Sequence, residues 1–134
     1  VAAISFIVPG TPVPYARTAG GATTARFTPA KQRNAMGVVK LFASRAMNGR
    51  APLEGPIWLS VEAYYQVPKS WSKKQADVAR WKTSRPDLDN IVKLIKDSCN
   101  QVVWQDDSQV AAMSLSKRYG EREEIRVRIE IAPQ

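Results

Sequence analysis

The chemistry available to this chain is concentrated between residues 87 and 107. Asp87 and Asp89 stand two apart in Arg85-Pro-Asp-Leu-Asp-Asn-Ile-Val-Lys93, and Asp106 and Asp107 are adjacent in Val103-Trp-Gln-Asp-Asp-Ser-Gln-Val110. Five of the six aspartates fall in this interval. Carboxylates so close repel one another unless a cation stands between them. Hard oxygen ligands select Mg²⁺, with Mn²⁺ as the alternative. The chain has no histidine and a single cysteine, Cys99. That excludes histidine triads, zinc held by histidine or cysteine, and an intrachain disulfide. Catalysis therefore falls to carboxylates, lysines, tyrosines or an oxygen-ligated metal, and Cys99 reads as a small core residue.

Each half of the cluster also has a plainer explanation. Asp-x-Asp at a helix start is a capping arrangement, and Asp-Asp-Ser makes an ordinary turn. Four acids crowded on a chain of net charge +8 favour a metal site over two unrelated local motifs. The expected geometry is simple. Pro86 forces an extended residue before it, and Asp87 or Asp89 caps the helix that follows. A helix of about 11 residues carries the chain roughly 16 Å from Asp89. An extended run from Asn100 to Asp107 spans more than about 20 Å, enough to bring Asp107 back beside it. Lys93, one turn after Asp89, shares its helical face.

The rest of the charge points to a polyanionic partner. Lys and Arg number 20 against 12 Asp and Glu, and no acid precedes Glu54. Such an excess favours nucleic acid through phosphate contacts and counterion release. Arg17, Arg26, Lys31, Lys73, Lys74 and Arg85 are the candidate DNA contacts. No apolar run approaches a membrane span, no charged-then-apolar leader is evident, and a cytoplasmic location is the expectation.

The elements that must position these residues follow from periodicity. Ala3 to Val8 reads as a strand, and Thr11 to Thr24 as a loop carrying Tyr15 and Arg17. Thr28-Pro29 reads as a helix start, with Ala35, Val38, Val39, Phe42 and Ala46 inward, and Asn48-Gly49 as its end. From Ile57 to Val67 the period is two, with Ile57, Leu59, Val61, Ala63, Tyr65 and Val67 on one face. A polar, basic stretch from Pro68 to Ser84 follows, in which a short helix is expected after Ser70 or Ser72. Ile91, Leu94, Ile95, Ser98 and Cys99 form the buried stripe of the helix after Pro86. Val102 to Trp104 reads as a brief strand, and two strands, Val110 to Tyr119 and Glu124 to Ile131, close the chain around a turn at Gly120. The expectation is one α+β domain spanning residues 1–134, a mixed β-sheet packed with two principal helices.

The segment Pro86-Asp-Leu-Asp-Asn90 with Lys93 and Asp97, followed by Val103-Trp104 and Asp106-Asp-Ser-Gln-Val110, resembles the RusA-type Holliday junction resolvases of bacteria and their prophages. The opening strand with its Pro-rich turn and the closing pair of strands sit where that family has them. The resemblance implies a homodimeric, Mg²⁺-dependent endonuclease that nicks two opposed strands of a four-way DNA junction. It implies that Asp87, Asp89 and Asp107 are essential metal-binding carboxylates and that Lys93 is also required, with Asp106 a fourth candidate ligand. A non-catalytic basic DNA-binding module is the alternative. An RNA-directed nuclease lacks support, because no aromatic RNA-binding strand motif is present.

Overall fold

The computed structural model describes residues 3–16 and 30–133. The expected start of the first helix at Thr28-Pro29, and Arg17 and Arg26, lie outside the described residues. Four strands, β1 (Ile4–Pro9), β2 (Ile57–Tyr65), β3 (Val110–Tyr119) and β4 (Glu124–Ile131), form one mixed sheet in the order β1-β4-β2-β3. β4 runs antiparallel to both β1 and β2, while β3 lies parallel to β2. Parallel neighbours need a crossover, and the long helix between them provides it.

Three helices, α1 (Ala30–Met47), α2 (Lys73–Val78) and α3 (Leu88–Cys99), complete the α+β structure. Alternation in β2 and β4 puts Ile57, Leu59 and Val61 with Ile125, Val127 and Ile129 on one buried face. α1 and α3 contribute Val39, Ala43 and Met47 and Leu94, Ile95 and Cys99 to the same core. Fully burying one such aliphatic side chain stabilises by about 1.5–3 kcal/mol. The α3 stripe is as expected, and buried Ser98 is satisfied by donating to the Leu94 carbonyl at 2.6 Å.

α1 differs from the expectation at Val38, which is 41% exposed. Its inward stripe runs through Gln32, Val39, Ala43 and Met47, one residue out of phase with Val38 at 3.6 residues per turn. Asn48 and Gly49, both at positive φ, end the helix as expected. Ser72 caps α2, accepting from the Gln75 amide at 3.1 Å while Gln75 returns to the Ser72 amide. Residues 101–104 are a tight turn rather than a strand. Gln101 takes a φ of 64°, its amide donates to the Trp104 carbonyl at 2.7 Å, and Trp104 is fully buried.

The other sheet face carries Trp58, Glu62 and Tyr64 from β2 and Arg126 and Arg128 from β4. Its charges pair locally: Arg118 with Glu62 at 3.3 Å, Arg126 with Glu124 at 2.6 Å, and Arg128 with Glu130 at 3.8 Å.

Candidate active site

The N-terminus of α3 is held by contacts from β3 and from the segment after β1. The Arg85–Pro86 peptide is cis. Lys117, on the inward face of β3, donates from Nζ to the carbonyls of Ser84 and Pro86, each at 2.8 Å. Beside it, Lys82 donates its amide to the Lys117 carbonyl at 3.1 Å, and the Tyr119 amide donates to Arg80 at 2.9 Å. From the opposite side, the Tyr15 amide donates to the Asn90 carbonyl at 2.9 Å. The Ala16 amide donates to buried Gln32 of α1 at 2.6 Å.

Asp87 occupies the N-cap position of α3, yet its carboxylate makes no capping hydrogen bond. Capping therefore does not explain this side chain. Asp89 lies in the first turn, and both acids are exposed. The helix N-terminus favours negative charge there. Lys93 shares the Asp89 face as expected, with Nζ 4.4 Å from the Tyr15 ring centre and 3.6 Å from Asp97. Arg85 precedes the acids and is exposed. Lys31 is the second residue of α1, next to Gln32, which binds the Ala16 amide. Lys73 and Lys74 are exposed in the first turn of α2.

The second pair of acids is built differently. Asp106 accepts from the Ser108 amide at 2.9 Å, and hydrogen bonding from Ser108, first by its hydroxyl and then by this amide, holds its carboxyl below the usual range. Gln109 closes the box by accepting from the Asp106 amide, and its Nε2 donates to the carbonyls of Leu53 and Gly55. Asp107 opens a short 3₁₀ turn, Asp107–Gln109, that leads into β3. The buried Trp104 indole donates to Asp107 Oδ1 at 2.8 Å and fixes that carboxylate. The Cys99 thiol is pushed up to about 12, first by burial and then by the charge of Asp107.

The expected return of Asp107 to Asp89 does not occur within one chain. Asp107 acts on Cys99 at the C-terminal end of α3, ten residues and about 15 Å along the helix from Asp89. The cause is the 101–104 turn, which anchors Trp104 in the core instead of letting the chain run back extended. Among the described residues, no group of three or more potential metal ligands comes together. A single copy thus holds two half-sets: Asp87 and Asp89 at one end of α3, Asp106 and Asp107 at the other.

Trp104 and Gln109 stood in the sequence only as parts of the matched motif, without a role, and Lys117 was not singled out. Asp106-x-x-Gln109 is a capping-box spacing that marks Gln109. Lys117, a lysine at inward parity on β3, is a comparable signal.

Among the described residues no helix is long and apolar enough to cross a membrane. A protein from Bacillus subtilis (strain 168) described as uncharacterized protein YqaN is 35% identical over 135 residues, covering 94% of each chain. A crossover junction endodeoxyribonuclease rusA from Lactococcus phage r1t is 35% identical over 75 residues, 55% of this chain and 53% of the phage protein. The family model described as endodeoxyribonuclease RusA matches residues 9–131. With nearly the whole chain matched, and with an uncommitted Asp87 carboxylate beside Asp89 at the head of α3, this protein belongs to the RusA family of endodeoxyribonucleases.

Proposed function

We propose that the chain, acting as one endonuclease domain over residues 1–134, resolves four-way DNA junctions by paired, Mg²⁺-dependent nicks in opposed strands. Membership of an endodeoxyribonuclease family removes the non-catalytic alternative. The phage relative's name supports a crossover junction as the substrate. The bacterial and phage origins of the relatives support a cytoplasmic, bacterial or phage-encoded enzyme. The observation that carries the reading is the division of the acids. Asp87 and Asp89 are exposed and face solvent from one end of α3, while Trp104 orients Asp107 at the other.

A two-fold symmetric junction calls for two symmetry-related cuts, and hence for a homodimer. We assign each site to two copies: Asp87, Asp89 and Lys93 from one, Asp107 and Asp106 from the other. All are hard oxygen donors suited to Mg²⁺ or Mn²⁺, apart from Lys93. When bound, such an ion acidifies a water and offsets the charge that builds on the phosphate. Lys93, held between Tyr15 and Asp97, offers its ammonium to a phosphate oxygen. Exposed Lys31, Lys73, Lys74 and Arg85 are assigned to backbone phosphates, with Arg17 and Arg26 as further contacts.

A labelled synthetic four-way junction and a linear duplex of the same sequence, each incubated across a Mg²⁺ titration, test this. Opposed nicks in the junction, abolished by chelation, are expected. Equal cutting of the duplex, or cutting that survives chelation, overturns it.

A further inference from the structure

β3 is an edge strand, and its free side is unusual. Segment 80–82 pairs antiparallel with residues 117–119 and closes that part of the edge. Those bonds show that Lys117 and Tyr119 turn their backbone groups away from β2. Backbone direction alternates along a strand, so Met113 and Leu115 turn theirs to the same side. Among the described residues no partner covers this stretch, and Ala111 to Ser114 are exposed. Natural edges are commonly protected by charge, proline or a covering element. From Val110 to Ser116 this edge carries no charged residue and no proline. Met113 is 47% exposed.

We infer that two copies join through antiparallel pairing of their β3 edges, with Met113 on the two-fold axis, forming a continuous eight-stranded sheet. This rests on the proposed two-copy assembly of the site and supplies the surface for it. Three observations on the strand converge. The free backbone groups of Met113 and Leu115 gain partners, with Leu115 opposite Ala111 of the other copy. The exposed Met113 and half-buried Leu115 side chains, on the inward face with Leu59 and Val61, gain apolar contact across the axis. The ends also match: this register sets Val110 of one copy opposite Ser116 of the other. Pairing then stops where the 3₁₀ turn leaves one strand and where segment 80–82 begins on its neighbour.

The charges agree with that register. Asp106 and Asp107 of one copy arrive beside the Arg80, Lys82 and Lys117 end of the other. That is the end at which Lys117 holds Pro86, the residue before Asp87. One antiparallel pairing thus brings the two acidic half-sets together twice, once on each side of the axis.

Met113→Cys in the full chain tests the surface. Directly opposed residues of an antiparallel pair have Cα atoms about 4.5–5.5 Å apart, within disulfide range. Cys99 is fully buried and leaves the background low. Mild oxidation is expected to convert most of the protein to a covalent dimer on a non-reducing gel. Met113→Lys is expected to weaken dimerisation by about tenfold or more in sedimentation, without a lower melting temperature for the monomer. A dimer that neither cross-links at position 113 nor dissociates in Met113→Lys overturns the β3 interface and leaves the two-copy site standing. Cross-linking at 113 in a dimer whose acids prove to work within one chain keeps the interface and refutes the two-copy site. A wild-type chain that is monomeric while cutting paired strands refutes both.

Discussion

Mixing two inactive variants distinguishes acids shared between copies from acids confined to one. Asp89→Asn keeps the size of aspartate and removes one carboxylate from the head of α3. Asp107→Asn does the same at the far end, about 15 Å away along the helix, where the Trp104 indole can still donate to the amide oxygen. Each homodimer is expected to lose cleavage by orders of magnitude. Equal amounts of the two, unfolded and refolded together, give about half heterodimers if association is random. In a heterodimer one site collects both substitutions, while the other receives Asp89 from one chain and Asp107 from the other and is intact. Half the dimers with one working site of two gives about a quarter of wild-type nicking. Paired resolution is not restored, because only one strand is cut per binding event. The assay is single-turnover cleavage of a junction labelled on each strand. If the mixture is as inactive as its parents while sedimentation shows dimers, the acids act within single chains and the two-copy site is wrong.

Four further outcomes are expected. Asp89→Asn raises the Mg²⁺ needed for cleavage while metal-free junction affinity holds or tightens; Lys93→Ala slows cleavage at unchanged Mg²⁺ requirement, read from the same titration. Lys117→Met removes two charge-assisted hydrogen bonds of 2.8 Å. Discounted for partial exposure, it costs about 1–2 kcal/mol, seen as a melting temperature several degrees lower and weaker Mg²⁺-dependent activity. Stability falls in alkali, because Cys99 keeps its proton in the fold up to about pH 12 while the unfolded chain loses it near its ordinary value. The slope is about 1.4 kcal/mol per pH unit above pH 9, and Cys99→Ala flattens it in urea titrations. Junction affinity falls by roughly 10³ or more between 50 and 200 mM salt if about six to ten phosphates are contacted; a flat response in a salt titration refutes the basic-surface assignment.

Where one face of an element decides burial, the sequence was readable. The alternation of β2 and β4, the α3 stripe, the Ser72 cap and the Asn48-Gly49 stop all follow from local pattern. Val38 was misplaced because α1 mixes apolar residues around its circumference, and only the packed neighbours select the phase. Val102 to Trp104 has strand composition, but burial of the Trp104 ring in the core and the positive φ of Gln101 make it a turn. That turn also decides the site. The acids stood out in the sequence as candidate metal ligands; the separation of their two halves did not, because chain length limits reach without setting direction. The Lys117 contact with Pro86 joins residues 31 apart, beyond any local signal.

The locally neutralised sheet face has a consequence for how the protein meets its substrate. Arg118, Arg126 and Arg128 are each balanced by a glutamate beside them, so the excess positive charge of the chain resides elsewhere on its surface. A body charged on one side and neutral on the other feels a torque in the field around a polyanion as well as a pull. The molecule is turned before contact, so its first collisions with DNA are biased toward the productive orientation.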